Sequence, residues 1–178
     1  MPIHLLFVCL GNICRSPAAE GIFLHQIMQR GLEDLFIVDS AGTSSWHIGC
    51  QADPRMQAAA KRRGINLPSR ARQIKPDDLS QFDLILTMDA DNQAAVKALA
   101  ERADAGAKAE IQPMLSFARR YKLLEVPDPY FTNGEKGFEQ VLDLLEDSCD
   151  GLLEKLLSTS ELAKPPQEFV GGRDPRSC

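Results

Sequence analysis

IHLLFVCLGNICRSPAAE, residues 3–20, changes character twice within eighteen positions. From Ile3 to Val8 it is almost continuously apolar, which predicts a strand buried on both faces of a parallel sheet. From Ser16 it reads as a helix. Ser16 is a good N-cap and Pro17 a good first helical residue, and Ala19, Ile22, Phe23 and Ile27 follow at roughly helical spacing. Gly31 is the expected C-terminal stop. Between strand and helix lies a short loop that holds Cys9, Gly11, Asn12, Cys14 and Arg15.

Working outward, Leu35 to Val38 reads as a second strand, so the first forty residues form a βαβ unit with a right-handed crossover. The alternation then continues. Asp53 to Arg63 reads as a helix ending at Gly64, and Phe82 to Leu86 as a third strand. Asp89 to Arg102 reads as a helix with Asp89 or Asp91 near its start, and Ala109 to Ile111 as a short fourth strand. Gly134 precedes a long helix whose apolar stripe is Phe138, Val141, Leu142, Leu145, Cys149, Leu152 and Leu156. This pattern predicts an α/β three-layer sandwich, with a four-stranded parallel sheet flanked by helices. Residues 1–157 are expected to form this domain. Residues 158–178, with paired prolines, paired glycines and no periodicity, are expected to be a disordered tail.

The bulk composition narrows the functions. A chain of 178 residues suits one domain, and a net charge of -5 argues against a nucleic-acid binder. It does not exclude an anionic substrate, since a pocket's local field can oppose the net charge. No apolar run approaches a membrane span, and the first residues lack the charged start of a signal peptide, so a cytoplasmic location is expected. Five scattered cysteines do not resemble a secreted disulfide framework. No assembly motif stands out, and a monomer is expected.

The loop admits three readings: a metal knuckle, a redox pair, and an anion cradle with a nucleophile at its floor. Cys9 and Cys14 have no second pair and no nearby histidine to complete a zinc tetrahedron. A Gly-Lys-Ser/Thr phosphate loop is absent as well. The position favours the cradle. In open α/β sheets ligands bind beyond the carboxyl ends of the strands, and the unpaired N–H groups of a helix N-terminus attract anions. Gly11 and Asn12 suit the unusual dihedrals of an anion nest, and Arg15 offers a planar fork matched to phosphate. Cys9 sits where positive potential favours a thiolate. The pattern C-x5-R-S therefore sets a soft nucleophile under a cradled tetrahedral oxyanion, with no metal required.

The stretch VCLGNICRSPAAE resembles the signature of the low-molecular-weight protein tyrosine phosphatases. The resemblance runs over about residues 3–157. It includes DSAGTSSW (39–46), ARQ (71–73), TMD (87–89) and PDPY (127–130). It implies the flavodoxin-like, phosphotyrosine protein phosphatase I fold and a metal-independent, cofactor-free hydrolase of phosphotyrosine and aryl phosphates. By the same resemblance Cys9 is the nucleophile, and Asp128 is the general acid and then base. Arg15 and the amides of Leu10, Gly11, Asn12, Ile13, Cys14 and Arg15 hold the phosphate. Ser16 donates to the thiolate, although capping the helix would explain it equally well. Asn12 braces the loop, and Trp46 and Tyr130 wall the pocket. On spacing alone, Asp128 between Pro127 and Pro129 reads as readily as a turn residue. Partners implied are tyrosine-phosphorylated proteins, with inorganic phosphate as product and inhibitor, and neither nucleic acid nor membrane.

Three departures and two rivals accompany this reading. Family members often carry a histidine, buttressing the loop asparagine and serine, where this chain has Ser69-Arg70. Ile13 stands where relatives acting on phosphoarginine carry threonine, and Phe131 where some members have a second tyrosine. The enzymatic rival is an arsenate reductase. It would need external thiols here, since no cysteine occurs between Cys50 and Cys149. The rival from another class is a non-catalytic phosphotyrosine-binding module. Cys9 and Cys14 form a candidate redox pair that could trap an oxidised nucleophile as a reversible disulfide. His4, His25 and His47 carry no assigned role.

Overall fold

The computed structural model describes residues 1–103, 106–132 and 134–159. Strand β1 (Ile3–Cys9) lies inside a four-stranded sheet, ordered β2-β1-β3-β4. It pairs in parallel with β2 (Phe36–Gly42), from Ile3 opposite Phe36 to Cys9 opposite Gly42. On its other side it pairs with β3 (Leu84–Thr87), from Leu5 opposite Leu84 to Val8 opposite Thr87. Strand β4 (Glu110–Pro113) adds in parallel to β3. The chain leaves β1 toward one edge and returns past it to β3, so the order reverses between those strands. That reversal opens a crevice beyond the carboxyl ends of β1 and β3.

The apolar run of β1 is explained by its two buried faces. Leu5, Phe7 and Cys9 pack into the larger cluster with Ile22 and Phe23 of α1 (Arg15–Gln29) and Phe138, Leu142, Leu145 and Cys149 of α5 (Lys136–Thr159). Leu6 and Val8 point the other way, to Leu79, Phe82, Ile85 and Val96. The second layer is built by α3 (Asp78–Gln81) and α4 (Ala90–Arg102), while α2 (Pro54–Arg62) joins the first. Each large apolar side chain buried this way contributes about 1.5–3 kcal/mol relative to exposure. The expected stripe of α5 is buried from Phe138 to Leu152, and Leu156 packs partly buried against the same core.

Several boundaries moved, each for a local reason. Helix α1 begins at Arg15 with Cys14 as N-cap, and no side chain caps it. The expected cap, Ser16, lies inside the helix with its hydroxyl turned to Cys9. At the other end Gly31 takes a left-handed φ of 65°, and Leu32 N–H donates to Ile27 C=O while Gly31 N–H donates to Met28 C=O. This is the Schellman closure that the glycine predicts. Strand β2 starts at Phe36 because Glu33–Leu35 forms a 3-10 turn. The short helix α3, which the sequence pattern does not reveal, delays β3 to Leu84. Helix α5 runs to Thr159, two residues into the segment expected as tail; positions 160–178 lie outside the described residues. Among the described residues no helix is long and apolar enough to cross a membrane.

Candidate active site

The loop between β1 and α1 is almost sealed. Cys9, Asn12, Arg15 and Ser16 are each no more than 2% exposed. Cys9 Sγ lies 3.0 Å from Ser16 Oγ and accepts from the Asn12 N–H at 3.3 Å. The Ser16 hydroxyl and the Asn12 N–H thus both meet the sulfur. Asn12 is the sole non-glycine residue with positive φ among those described, at 56°. Asparagine tolerates this left-handed region better than most residues. Its side chain closes a network. Nδ2 donates to Ser16 Oγ (2.7 Å) and Ser40 Oγ (3.0 Å), and Oδ1 accepts from Arg72 N–H (2.9 Å). Ser40 Oγ in turn donates to Glu20 Oε2 at 2.5 Å.

Two glycines allow close approach here. A Cβ on Gly42 would stand 2.7 Å from Leu10 O, so only glycine lets the end of β2 lie against the loop. Gly11, expected to supply the unusual dihedral, leaves that to Asn12. A Cβ on it would come within 2.9 Å of the His47 ring.

Arg15 is the charge at the floor. Its Nη1 donates to Asp89 Oδ2 at 2.6 Å and to Val126 C=O at 3.1 Å, and its Nη2 reaches Asp128 Oδ2 at 3.4 Å. Burial opposes the guanidinium's charge, but Cys9, Asp89 and Asp128 outweigh it and raise its pKa. Asp89 serves two elements at once, because its other oxygen accepts from Asn92 N–H at 2.8 Å and caps α4. The segment bearing Asp128 is anchored nearby. Val126 N–H donates to Met88 C=O at 2.8 Å, and Glu125 accepts from the Ala90 N–H at 2.8 Å.

The pocket above Cys9 has Leu10, Gly11, Ile13, Cys14 and Arg15 as floor, with Trp46, His47, Asp128, Tyr130 and Phe131 around it. The 43–47 segment is drawn there by Thr43 N–H to Cys9 C=O (2.9 Å) and Ser44 N–H to Leu10 C=O (3.0 Å). The Tyr130 ring sits 6.0 Å from His47 and 5.1 Å, edge-on, from Phe131. Arg55 lies over it at 5.6 Å, held by two bonds to Asp53 and one to Tyr130 C=O. Cys14 is buried beside the floor, and burial first, then Asp53 and Cys9, push its thiol pKa far up.

Comparison with known proteins agrees with this geometry. The family model for the low molecular weight phosphotyrosine protein phosphatases matches residues 4–162. The chain belongs to that family. Low molecular weight protein-tyrosine-phosphatase YfkJ of Bacillus subtilis is 38% identical over 161 residues, 90% of this chain and 99% of that protein. A crystal structure of a protein tyrosine phosphatase from Entamoeba histolytica, with Hepes in its active site, superposes with a TM-score of 0.81. It is 46% identical and covers 88% of this chain and 97% of that one. A Drosophila arginine phosphatase superposes with a TM-score of 0.83 at 34% identity, covering 88% and 99% of the two chains. The fold expected from the motif is therefore the fold observed, in a cysteine-dependent family of enzymes.

In this low molecular weight phosphatase the structure gathers all the residues singled out from the sequence: Cys9, the loop through Ser16, Trp46, Asp128 and Tyr130. It adds five that the sequence left without such a role. Asp89 lay inside the TMD motif but read only as a helix cap. Ser40 and Glu20 carry no local signal, because their link to Asn12 crosses from β2 to α1. His47 and Arg55 lacked visible partners until the fold brought Gly11 and Tyr130 to them. Ser69, where the resemblance leads one to expect a histidine nearby, has its hydroxyl close enough to Glu20 to lower that carboxyl's pKa against the rise from burial.

Proposed function

We propose that the chain hydrolyses phosphotyrosine and aryl phosphates through a phosphocysteine on Cys9. The observation that carries this reading is the sulfur of Cys9, met by Ser16 Oγ at 3.0 Å and the Asn12 N–H at 3.3 Å, in one pocket with Arg15 and Asp128. In the first step the Cys9 thiolate attacks phosphorus, forming an S–P bond. The bond from phosphorus to the phenolic oxygen breaks, and Asp128 gives that oxygen its proton. In the second, Asp128 takes a proton from water, the hydroxide attacks phosphorus, and inorganic phosphate and the thiolate are released. Arg15 and the amides of residues 10–15 stabilise the equatorial oxygens. Ser16 donates to the thiolate, and Asn12 braces the loop.

Trp46 and Tyr130 flank a flat aryl group. Ile13, an apolar lining residue where phosphoarginine-directed relatives are expected to carry threonine, supports an aryl rather than a guanidino substrate. Tyrosine-phosphorylated proteins are the proposed partners, acted on in the cytoplasm by a monomer formed by residues 1–157. Cys14 beside Cys9 would capture a sulfenic acid as a disulfide with loss of water, protecting the nucleophile.

The test is hydrolysis of an aryl phosphate with a chelator present, for the wild type, Cys9→Ser and Asp128→Asn. Cys9→Ser should be inactive and Asp128→Asn slowed. An inert wild type that binds phosphotyrosine would instead establish a binding module, and one that consumes arsenate with external thiols a reductase. Phosphotyrosine and phosphoarginine peptides then separate the two ester classes.

A further inference from the structure

Beneath the loop a hydrogen-bond chain runs from the surface of the sulfur to a buried acid. Ser16 Oγ touches Cys9, Asn12 Nδ2 donates to both Ser16 and Ser40, and Ser40 donates to Glu20, which is 9% exposed. Direction matters in such a chain. Both Nδ2 protons of Asn12 are committed, so Ser16 and Ser40 each receive one bond and each has one hydroxyl proton left to aim. A carboxylate at Glu20 can only accept, so it draws the Ser40 proton to itself. The Ser40 lone pair then stays turned to Asn12, and Asn12 keeps its left-handed backbone and its bond to Ser16. The Ser16 proton then has the sulfur at 3.0 Å and Ala41 C=O at 3.4 Å as acceptors, and the sulfur is the nearer.

We propose that Glu20 is a positioning residue of the catalytic loop: its ionised carboxylate, acting through Ser40 and Asn12, orients Ser16 and the strained loop for Cys9, and neutralising it lowers turnover. It rests on the phosphatase reading above. The groups acting on Glu20 are Ser40 and Asp39 of β2 and Ser69 and Arg72 of the segment before α3. Burial is the largest influence and raises its pKa. The Ser40 and Ser69 hydroxyls lower it, Asp39 raises it, Arg72 lowers it, and the balance stays above the ordinary glutamate value. Arg72 is itself held by Asp39 at 2.9 Å and Asp78 at 3.0 Å.

The sign of the linkage separates function from stability. A carboxyl whose folded pKa is raised contributes stability below its unfolded value and loses it as pH rises through the folded value. Glu20→Gln, always neutral, escapes that loss. Relative to wild type the variant should therefore gain thermal stability as pH rises, while it loses activity over the same range.

The experiment compares wild type, Glu20→Gln and Ser40→Ala by kcat, KM and melting temperature on p-nitrophenyl phosphate, from mildly acidic to neutral pH. At neutral pH Glu20→Gln should lose about tenfold in kcat, the scale seen for supporting groups behind metal ligands, with KM changed less than about twofold. The gap should close as pH falls and wild-type Glu20 takes up its proton. Ser40→Ala should show a similar neutral-pH loss. A kcat unchanged in both variants, or a pH-independent ratio for Glu20→Gln, overturns the proposal and leaves Glu20 a packing group. Iodoacetate alkylation of Cys9, expected to slow in both variants, reads the same positioning without turnover. An inert wild type would thus sink the phosphatase reading while this comparison still stands or falls on its own.

Discussion

The two sides of the pocket are built on opposite principles. The floor, from Cys9 to Ser16, comes from one continuous segment between a strand and a helix, and its key side chains are at most 2% exposed. The polar side-chain atoms of Asn12, Arg15 and Ser16 are held by partners within the protein. The wall that carries Asp128 arrives from more than a hundred residues away and has neither helix nor strand from Ala118 to Gly134 among its described residues. Val126 is buried and doubly anchored, but four residues on Tyr130 is 40% and Phe131 81% exposed. Beyond Val126 the ties are a local turn and the two arginines, Arg15 and Arg55. Charge stabilisation requires preorganised donors, and the floor supplies them. The acid side has to admit a substrate, and a chain hinged at Val126 is suited to that.

If the floor is the preorganised half, damage there should be the most severe. Arg15→Lys keeps the charge but loses the planar fork, whose two nitrogens reach Asp89, Val126 and Asp128 from separate positions. We expect kcat/KM on an aryl phosphate to fall about 10³-fold, the upper range for removing one oxyanion donor. A fall of tenfold or less would show that the backbone amides carry the charge alone.

Asp128→Asn tests the wall. With a poor leaving group such as phenyl phosphate, kcat should fall about 10²-fold, the lower range for general acid catalysis. With p-nitrophenyl phosphate, whose phenoxide leaves readily, the loss should be much smaller. Equal losses for the two substrates would make Asp128 an electrostatic partner of Arg15 rather than a proton donor.

Asp89→Asn joins the two halves. Asparagine caps a helix about as well as aspartate, so α4 should keep its cap and the melting temperature should stay near wild type. Buried Arg15 would keep a hydrogen-bond acceptor and lose a charged partner. A drop in kcat/KM of about tenfold follows from replacing a charge-assisted bond by a neutral one. Unchanged kinetics would confine Asp89 to capping.

How far each half could be read from sequence follows the same division. The floor was visible because its geometry is local: an apolar strand, a loop with glycine and asparagine, and Pro17 within the first turn lie within fifteen residues. The sheet and the α5 stripe were visible for the same reason, since burial on two faces or one leaves a period in the chain. Ser16 was read as a cap because a serine before a proline usually is one. The tertiary demand of Cys9 took its hydroxyl instead. Helix α3 is only four residues long and leaves no apolar period. Glu20, Ser40 and Arg55 were invisible because their meaning lies in partners on other elements. Asp128 was found only through resemblance, since an aspartate between two prolines is locally a turn.

The smallest effect should come from the most exposed part of the wall. Tyr130 meets Phe131 edge to face and His47 at a tilt, and its carbonyl and ring both engage Arg55. An aromatic pair contributes about 0.5–1.5 kcal/mol beyond its buried area, which corresponds to roughly two- to tenfold in binding. Tyr130→Ala should therefore raise KM for an aryl phosphate by that factor and leave kcat within about twofold, because the ring grips the substrate equally before and during reaction. Tyr130→Phe should behave as wild type if the ring face alone is used. A kcat loss in Tyr130→Ala comparable to that of Asp128→Asn would mean that the ring, through the Tyr130 N–H bonded to Asp128 at 3.1 Å, sets the position of the acid. The wall would then be as preorganised as the floor, and the contrast between them would fail at its weakest point.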